Sequence, residues 1–122
     1  MCDDSRSAKV TIVMPRSQEA SLIAYETRSM GLVVELHDHT EFADDYSVLV
    51  LSVYCRYVDL GEDEFLCQNY GPFKEILRQL VASGLVEMTS REVHVWFAEE
   101  RLPVCRLKGQ LRKKRDSRSE RR

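Results

Sequence analysis

The stretch YSVLVLSVYCRYVDL, Tyr46 to Leu60, is apolar on both of its alternating sides. Tyr46, Val48, Val50, Tyr54 and Val58 share one parity, and Leu49, Leu51, Val53, Cys55 and Tyr57 share the other. Successive side chains of a strand point to opposite faces, so this pattern describes a central strand covered on both sides. Its charge-free part, Tyr46 to Cys55, is about half of the ~20 residues a membrane-spanning helix requires. The stretch is therefore expected in the core of a folded domain and not in a membrane.

Upstream, Lys9 to Met14 (KVTIVM) is rich in β-branched residues and stops before Pro15, as a first strand does. Ser21 to Arg28 and Gly31 to Asp38 are two more strand-like runs, separated by a turn in which Gly31 supplies the positive φ that a hairpin needs. Thr40 to Asp45 interrupts the pattern with acids. Downstream, Asp59 to Asn69 reads as an acidic loop containing Glu62-Asp63-Glu64. Gly71-Pro72 then opens a helix, because Pro72 suits the first turn and Phe73, Ile76, Leu77, Leu80 and Val81 recur at helical spacing. Gly84 stands where a C-terminal cap belongs, which ends the helix near Ser83. Leu85 to Met88 and Glu92 to Phe97 are expected to form a hairpin around Thr89-Ser90-Arg91, with Pro103 to Leu107 as a last strand at the edge.

These elements predict an α+β fold: a small antiparallel β-sheet with one amphipathic helix, about residues 72–83, packed on one face, and a disordered basic C-terminal arm. With 122 residues and 43% hydrophobic content, the chain supports a single core. The expected division is a flexible N-terminus over 1–8, a domain over 9–107 and a tail over 108–122. One helix covers one face of a sheet. Since Tyr46 to Val58 is apolar on both, a homodimer is expected to cover the other.

The charge is split along the chain. Arg106 to Arg122 (RLKGQLRKKRDSRSERR) holds 9 of the 18 Lys and Arg but only 2 of the 20 acids. The first 105 residues are strongly acidic as a result, and the overall net charge of −2 conceals a dipole. A block of like charge stays solvated and attracts phosphate-rich or acidic surfaces. The candidate nucleic-acid-binding residues are Arg106, Lys108, Arg112, Lys113, Lys114, Arg115, Arg118, Arg121 and Arg122. The arm has no aromatic residue to stack on a base, so phosphate contacts insensitive to sequence are expected. Arg112-Lys113-Lys114-Arg115 also matches the compact clusters that nuclear import receptors read, and Ser117 and Ser119 sit among arginines as basophilic kinases prefer.

Four cysteines, Cys2, Cys55, Cys67 and Cys105, show no CxxC spacing, so neither a zinc ribbon nor a thioredoxin-like motif is read, and reduced thiols are expected, with Cys55 buried. The acidic N-terminus, MCDDSRSAKV, lacks the basic and apolar regions of a secretory signal, which predicts a cytoplasmic or nuclear protein with no membrane partner.

Gly31-LVVEL-His37-Asp38-His39 resembles the first half of the cupin signature, glycine, five residues, then HxH. The resemblance covers roughly ten residues and implies a metal held by His37 and His39, with Asp44 in place of the usual glutamate. The second cupin motif has no counterpart, since His94 is the only later histidine. Ile76 to Phe97 resembles the recognition helix and wing of winged-helix DNA-binding proteins, although the run before it is β-rich where that family needs another helix. His94 shares a face with Trp96, as a base or ligand contact would require. Glu62-Asp63-Glu64 lacks calcium-loop spacing and reads as a solvated loop, or as acids that compete for the arm's cations.

The reading that results is a non-enzymatic regulatory or accessory binding protein, of a plan shared by small virus-encoded proteins, whose arm engages nucleic acid, foremost RNA, or another acidic partner. No cofactor is expected. The alternatives are a protein–protein adaptor with the arm as a nuclear address signal, and a small metal-dependent, cupin-like protein.

Overall fold

The computed structural model describes residues 5–13, 17–39 and 46–112. Among these residues, two antiparallel four-stranded sheets and one helix make an α+β fold. The first sheet is a meander of β1 (Arg6–Val13), β2 (Ser17–Thr27), β3 (Gly31–His39) and β4 (Tyr46–Val50), in that spatial order. The second contains β5 (Ser52–Val53), β6 (Glu64–Cys67), β7 (Val86–Val93) and β8 (Leu102–Leu107), ordered β5-β6-β8-β7. Helix α1 (Pro72–Ala82) links β6 to β7, and a single 3-10 turn, Gly109–Leu111, follows β8.

The meander forms where alternation and turn chemistry agree. Along β1, Ala8, Val10 and Ile12 are buried while Ser7, Lys9 and Thr11 face water, a period of two that turns one side inward. Gly31, at φ 71, closes the β2–β3 hairpin, and Thr27 Oγ1 accepts the Met30 N–H there at 2.9 Å. Helix α1 starts at Pro72 and buries Ile76, Leu77 and Leu80. It ends with Gly84 at φ 84, where the Gly84 N–H reaches the Val81 carbonyl and the Leu85 N–H reaches Leu80, the paired bonds of a Schellman cap.

The stretch Tyr46 to Leu60 is not one central strand. It breaks at Leu51, which is 1% exposed and joins the two sheets. Its N–H donates to the Val34 carbonyl of β3 at 2.8 Å, while its own carbonyl accepts the Gln68 N–H at 2.9 Å. Before Leu51 the chain belongs to the first sheet; after it, to the second. The apolar character of both sides thus reflects a change of sheet within one chain, while Val48, Leu49 and Val50, before the break, stay exposed. The core lies between the layers: Ala20, Leu22, Ala24, Val34 and Leu36 of the meander meet Phe65, Cys67, Val86, Cys105 and Leu107 of the second sheet, with Leu77 and Leu80 of α1.

Three further expectations are corrected. The Asp59 to Asn69 loop contains strand β6, whose Phe65, Leu66 and Cys67 are buried. Residues 86–93 form one strand rather than half a hairpin: Met88 pairs with Cys105 and Glu92 with Pro103, so β7 bulges around Ser90 (φ 74) and continues along β8. That arrangement also replaces the wing of the winged-helix resemblance. Finally, the segment expected at the edge is central. β8 lies between β6 and β7 and is buried on both faces, with Leu102 and Val104 in a second cluster beside Leu66 and Val95. Pro103 is accommodated because pairing with β6 stops at Val104, leaving only β7 alongside it.

Boundaries shift outward too. β1 begins at Arg6, inside the segment expected to be flexible, and Leu111, grouped with the tail by its neighbours' charge, is fully buried in the main core.

Candidate functional site

The basic residues divide into those bound within the fold and those beyond it. Arg106 sits on β8 in register with Glu64 of β6 on one side and Glu87 of β7 on the other. Its guanidinium donates to Glu87 Oε2 at 2.7 Å and to Glu64 Oε2 at 3.1 Å, a rung across three strands. Lys108 Nζ lies 3.0 Å from Glu87 Oε1. The Gly61 N–H bonded to Glu64, together with Arg106, holds that carboxyl below its ordinary range, and Lys108 with Arg106 does the same to Glu87. Two of the nine candidate phosphate-binding cations therefore already have carboxylate partners. Arg112 is exposed, and among the described residues it makes no ion pair. Lys113, Lys114, Arg115, Arg118, Arg121 and Arg122 lie outside the described residues.

The acidic loop is structural as well as charged. Asp63, 8% exposed, receives a 2.9 Å hydrogen bond from Arg6 Nη1, which also donates to the Leu111 carbonyl at 3.0 Å. Glu26 adds a longer contact to Arg6 Nη2 at 3.6 Å. The first strand, the 61–64 loop and the chain's exit from the domain are thereby tied at one buried point. Asp63 adopts φ 64, a left-handed conformation that Asp tolerates better than most residues. Among the described residues, Glu26, Asp59, Glu62, Asp63 and Glu64 line a cavity of ≈ 490 Å³ with a single base, Arg56. No pattern in the sequence marks Arg6 as a core residue; the apolar Leu111 within a basic run is the signal that could have placed the domain's end.

On the outer face of the first sheet, Tyr25, Glu35 and His37 form a hydrogen-bonded row. Tyr25 Oη donates to Glu35 Oε2 at 2.8 Å, and His37 Nε2 lies 2.8 Å from Glu35 Oε1. The bond to Glu35 raises the Tyr25 pKa, with burial adding to it. His39 pairs through its backbone with Tyr46, while its side chain and Asp44 lie outside the described residues. Among the described residues, no group of three His, Cys, Asp or Glu is close enough to hold a metal ion.

His94 and Trp96 are both exposed, with Val95 buried between them. Trp96 packs edge-on against Phe97, with ring centroids 5.3 Å apart. Phe97, Tyr70, Glu99 and Glu100 line a groove of ≈ 360 Å³. The cysteines described are free thiols; Cys67 and Cys105 are buried together, and the bond between them with burial pushes the Cys67 thiol up. Cys55, expected to be buried, is only partly so. No described helix is long and apolar enough to cross a membrane. No protein-family model matches the chain, and neither the comparison with curated proteins nor that with solved structures found a match.

Proposed function

We propose that the protein is a non-enzymatic binding module that offers the segment Arg112 to Arg122 to the phosphates of nucleic acid, foremost RNA. The observation that carries this reading is the division of the cations: Arg106 and Lys108 are bound by Glu64 and Glu87, whereas the basic run resumes at the exposed Arg112. From Arg112 to Arg122 the chain holds 7 Lys and Arg against 2 acids, without one aromatic residue. Such a segment recognises charge density and not base identity. The acidic body, anchored immediately before Arg112, disfavours phosphate approach elsewhere and so directs a polyanion to the arm.

The test is binding of a fluorescently labelled single-stranded RNA by the full chain and by a chain ending at Arg112. The full chain is expected to bind with a log–log salt slope of up to about −5, the value for seven phosphates neutralised on a single strand. Scrambling the RNA sequence leaves the affinity unchanged. Equal affinity of the shortened chain at low salt overturns the reading.

A further inference from the structure

The first sheet ends in a strand that carries neither the charged residues nor the proline by which sheet edges are commonly protected. β4 reads YSVLV, without a charge or a proline, and it is last in the order β1-β2-β3-β4. Among the described residues no strand pairs with its outer side. The direction of its backbone groups follows from Leu51, whose N–H donates inward to Val34. In an antiparallel pair the inward residues alternate, so Leu49 and Ser47 also turn toward β3, and Tyr46, Val48 and Val50 turn their N–H and C=O groups outward. Gln68 Nε2 takes one of these, the Val50 carbonyl, at 2.7 Å. Val48, Leu49 and Val50 are 42%, 39% and 44% exposed, three consecutive apolar residues at one edge.

We propose that β4 pairs antiparallel with β4 of a second copy, about a two-fold axis through Val48, joining two four-stranded sheets into one of eight. In this register Val48 exchanges both its hydrogen bonds with Val48 of the other copy, and Tyr46 stands opposite Val50. The pair on the axis is valine with valine, β-branched residues that suit neighbouring strands, and β4 has no charge to meet its like. The self-complementarity singles out a second copy as occupant: one strand supplies both halves of an isologous interface. The Val50 carbonyl keeps a second lone pair for the new strand beside the Gln68 amide. With three half-exposed apolar side chains a side, the contact falls short of the ~800 Å² per partner of a stable complex, so the dimer is weak and forms at micromolar concentration. This inference does not depend on what the arm binds.

The experiment is sedimentation of the full chain from about 1 to about 500 μM, the range in which a micromolar constant is read. A reversible monomer–dimer equilibrium is expected. Val48→Pro removes the donor on the axis while sparing the inward bonds to β3, so it is expected to keep its melting temperature and to raise the dissociation constant at least about tenfold. Val48→Cys provides a second readout. The two α-carbons of a hydrogen-bonded antiparallel pair lie about 5.5 Å apart, within disulfide reach, so mild oxidation is expected to cross-link this variant and not Leu49→Cys or the unaltered chain. A monomer throughout the range overturns the proposal. So does a dimer that Val48→Pro leaves unchanged and Val48→Cys fails to cross-link.

Discussion

Removing residues 108–122 and removing residues 113–122 delete nearly the same charge run yet are expected to have opposite consequences for the fold. The longer deletion takes Leu111, which is fully buried in the main core, and the carbonyl that holds Arg6 Nη1 at 3.0 Å. It also removes the 2.8 Å bond from the Lys108 N–H to the Leu85 carbonyl. Losing a buried leucine costs about 2–5 kcal/mol, and leaving a buried charged donor short of an acceptor adds about 1.5–3 kcal/mol. The sum, roughly 5 kcal/mol, compares with the ~5–15 kcal/mol by which a domain of this size is stable. The shorter deletion touches no described contact and is expected to change stability by less than about 0.5 kcal/mol. Urea titrations followed by circular dichroism, run on both shortened chains and on Leu111→Ala, measure the difference. The point variant is expected about 3 kcal/mol below the full chain. Superimposable urea midpoints for the two deletions would refute the argument and return Lys108 to Leu111 to the tail.

Stability is expected to fall in acid. Glu64 and Glu87 have folded-state values below the ordinary 4.5, so the stability they contribute is fully present above that value and disappears as pH drops through the folded values. Melting temperatures between about pH 6 and pH 3 should decline less steeply for Glu64→Gln than for the unaltered chain, and identical slopes would remove Glu64 from the account. Asp63→Ala leaves the largely buried Arg6 guanidinium with only the longer carboxylate contact to Glu26 and is expected to destabilise by about 3 kcal/mol, while Asp63→Asn, which keeps an acceptor and tolerates positive φ, should cost less. Equal melting temperatures for the two substitutions would count against that ion pair. Leu77→Asp puts a charge among the buried residues of α1 and is expected to cost about 3 kcal/mol or more; an unchanged unfolding midpoint would show that this face of the helix is not the one that packs.

The exposed Arg112 and the paired Arg106 illustrate how a candidate site is only half legible in a sequence. Charge density marks the whole run from Arg106 onward, because counting residues needs no knowledge of neighbours. Which cations are already neutralised depends on Glu64 and Glu87, 42 and 19 residues away from Arg106 in the chain, and no local pattern records that pairing. The same limit applies to the acidic loop. Glu62-Asp63-Glu64 looks solvated from its composition, yet Asp63 is buried by an arginine 57 residues earlier.

By itself, the sequence determined the elements whose causes are local: the helix from Pro72 to Ala82, set by its apolar stripe, its opening proline and Gly84, and the hairpin of β2 and β3, set by alternation and Gly31. Tertiary structure alone decided which sheet each strand joined. Tyr46 to Leu60 has the alternation of a single double-faced strand, but the bonds from Leu51 to Val34 and from Gln68 to Leu51 divide it between two sheets. Leu102 to Leu107, with a proline near its start, has the sequence of an edge strand and lies in the centre because β6 pairs only as far as Val104. Periodicity and turn preference act over a few residues and can be read in order along the chain. Strand pairing is a choice among distant partners, made by the burial and hydrogen bonding of the whole core at once.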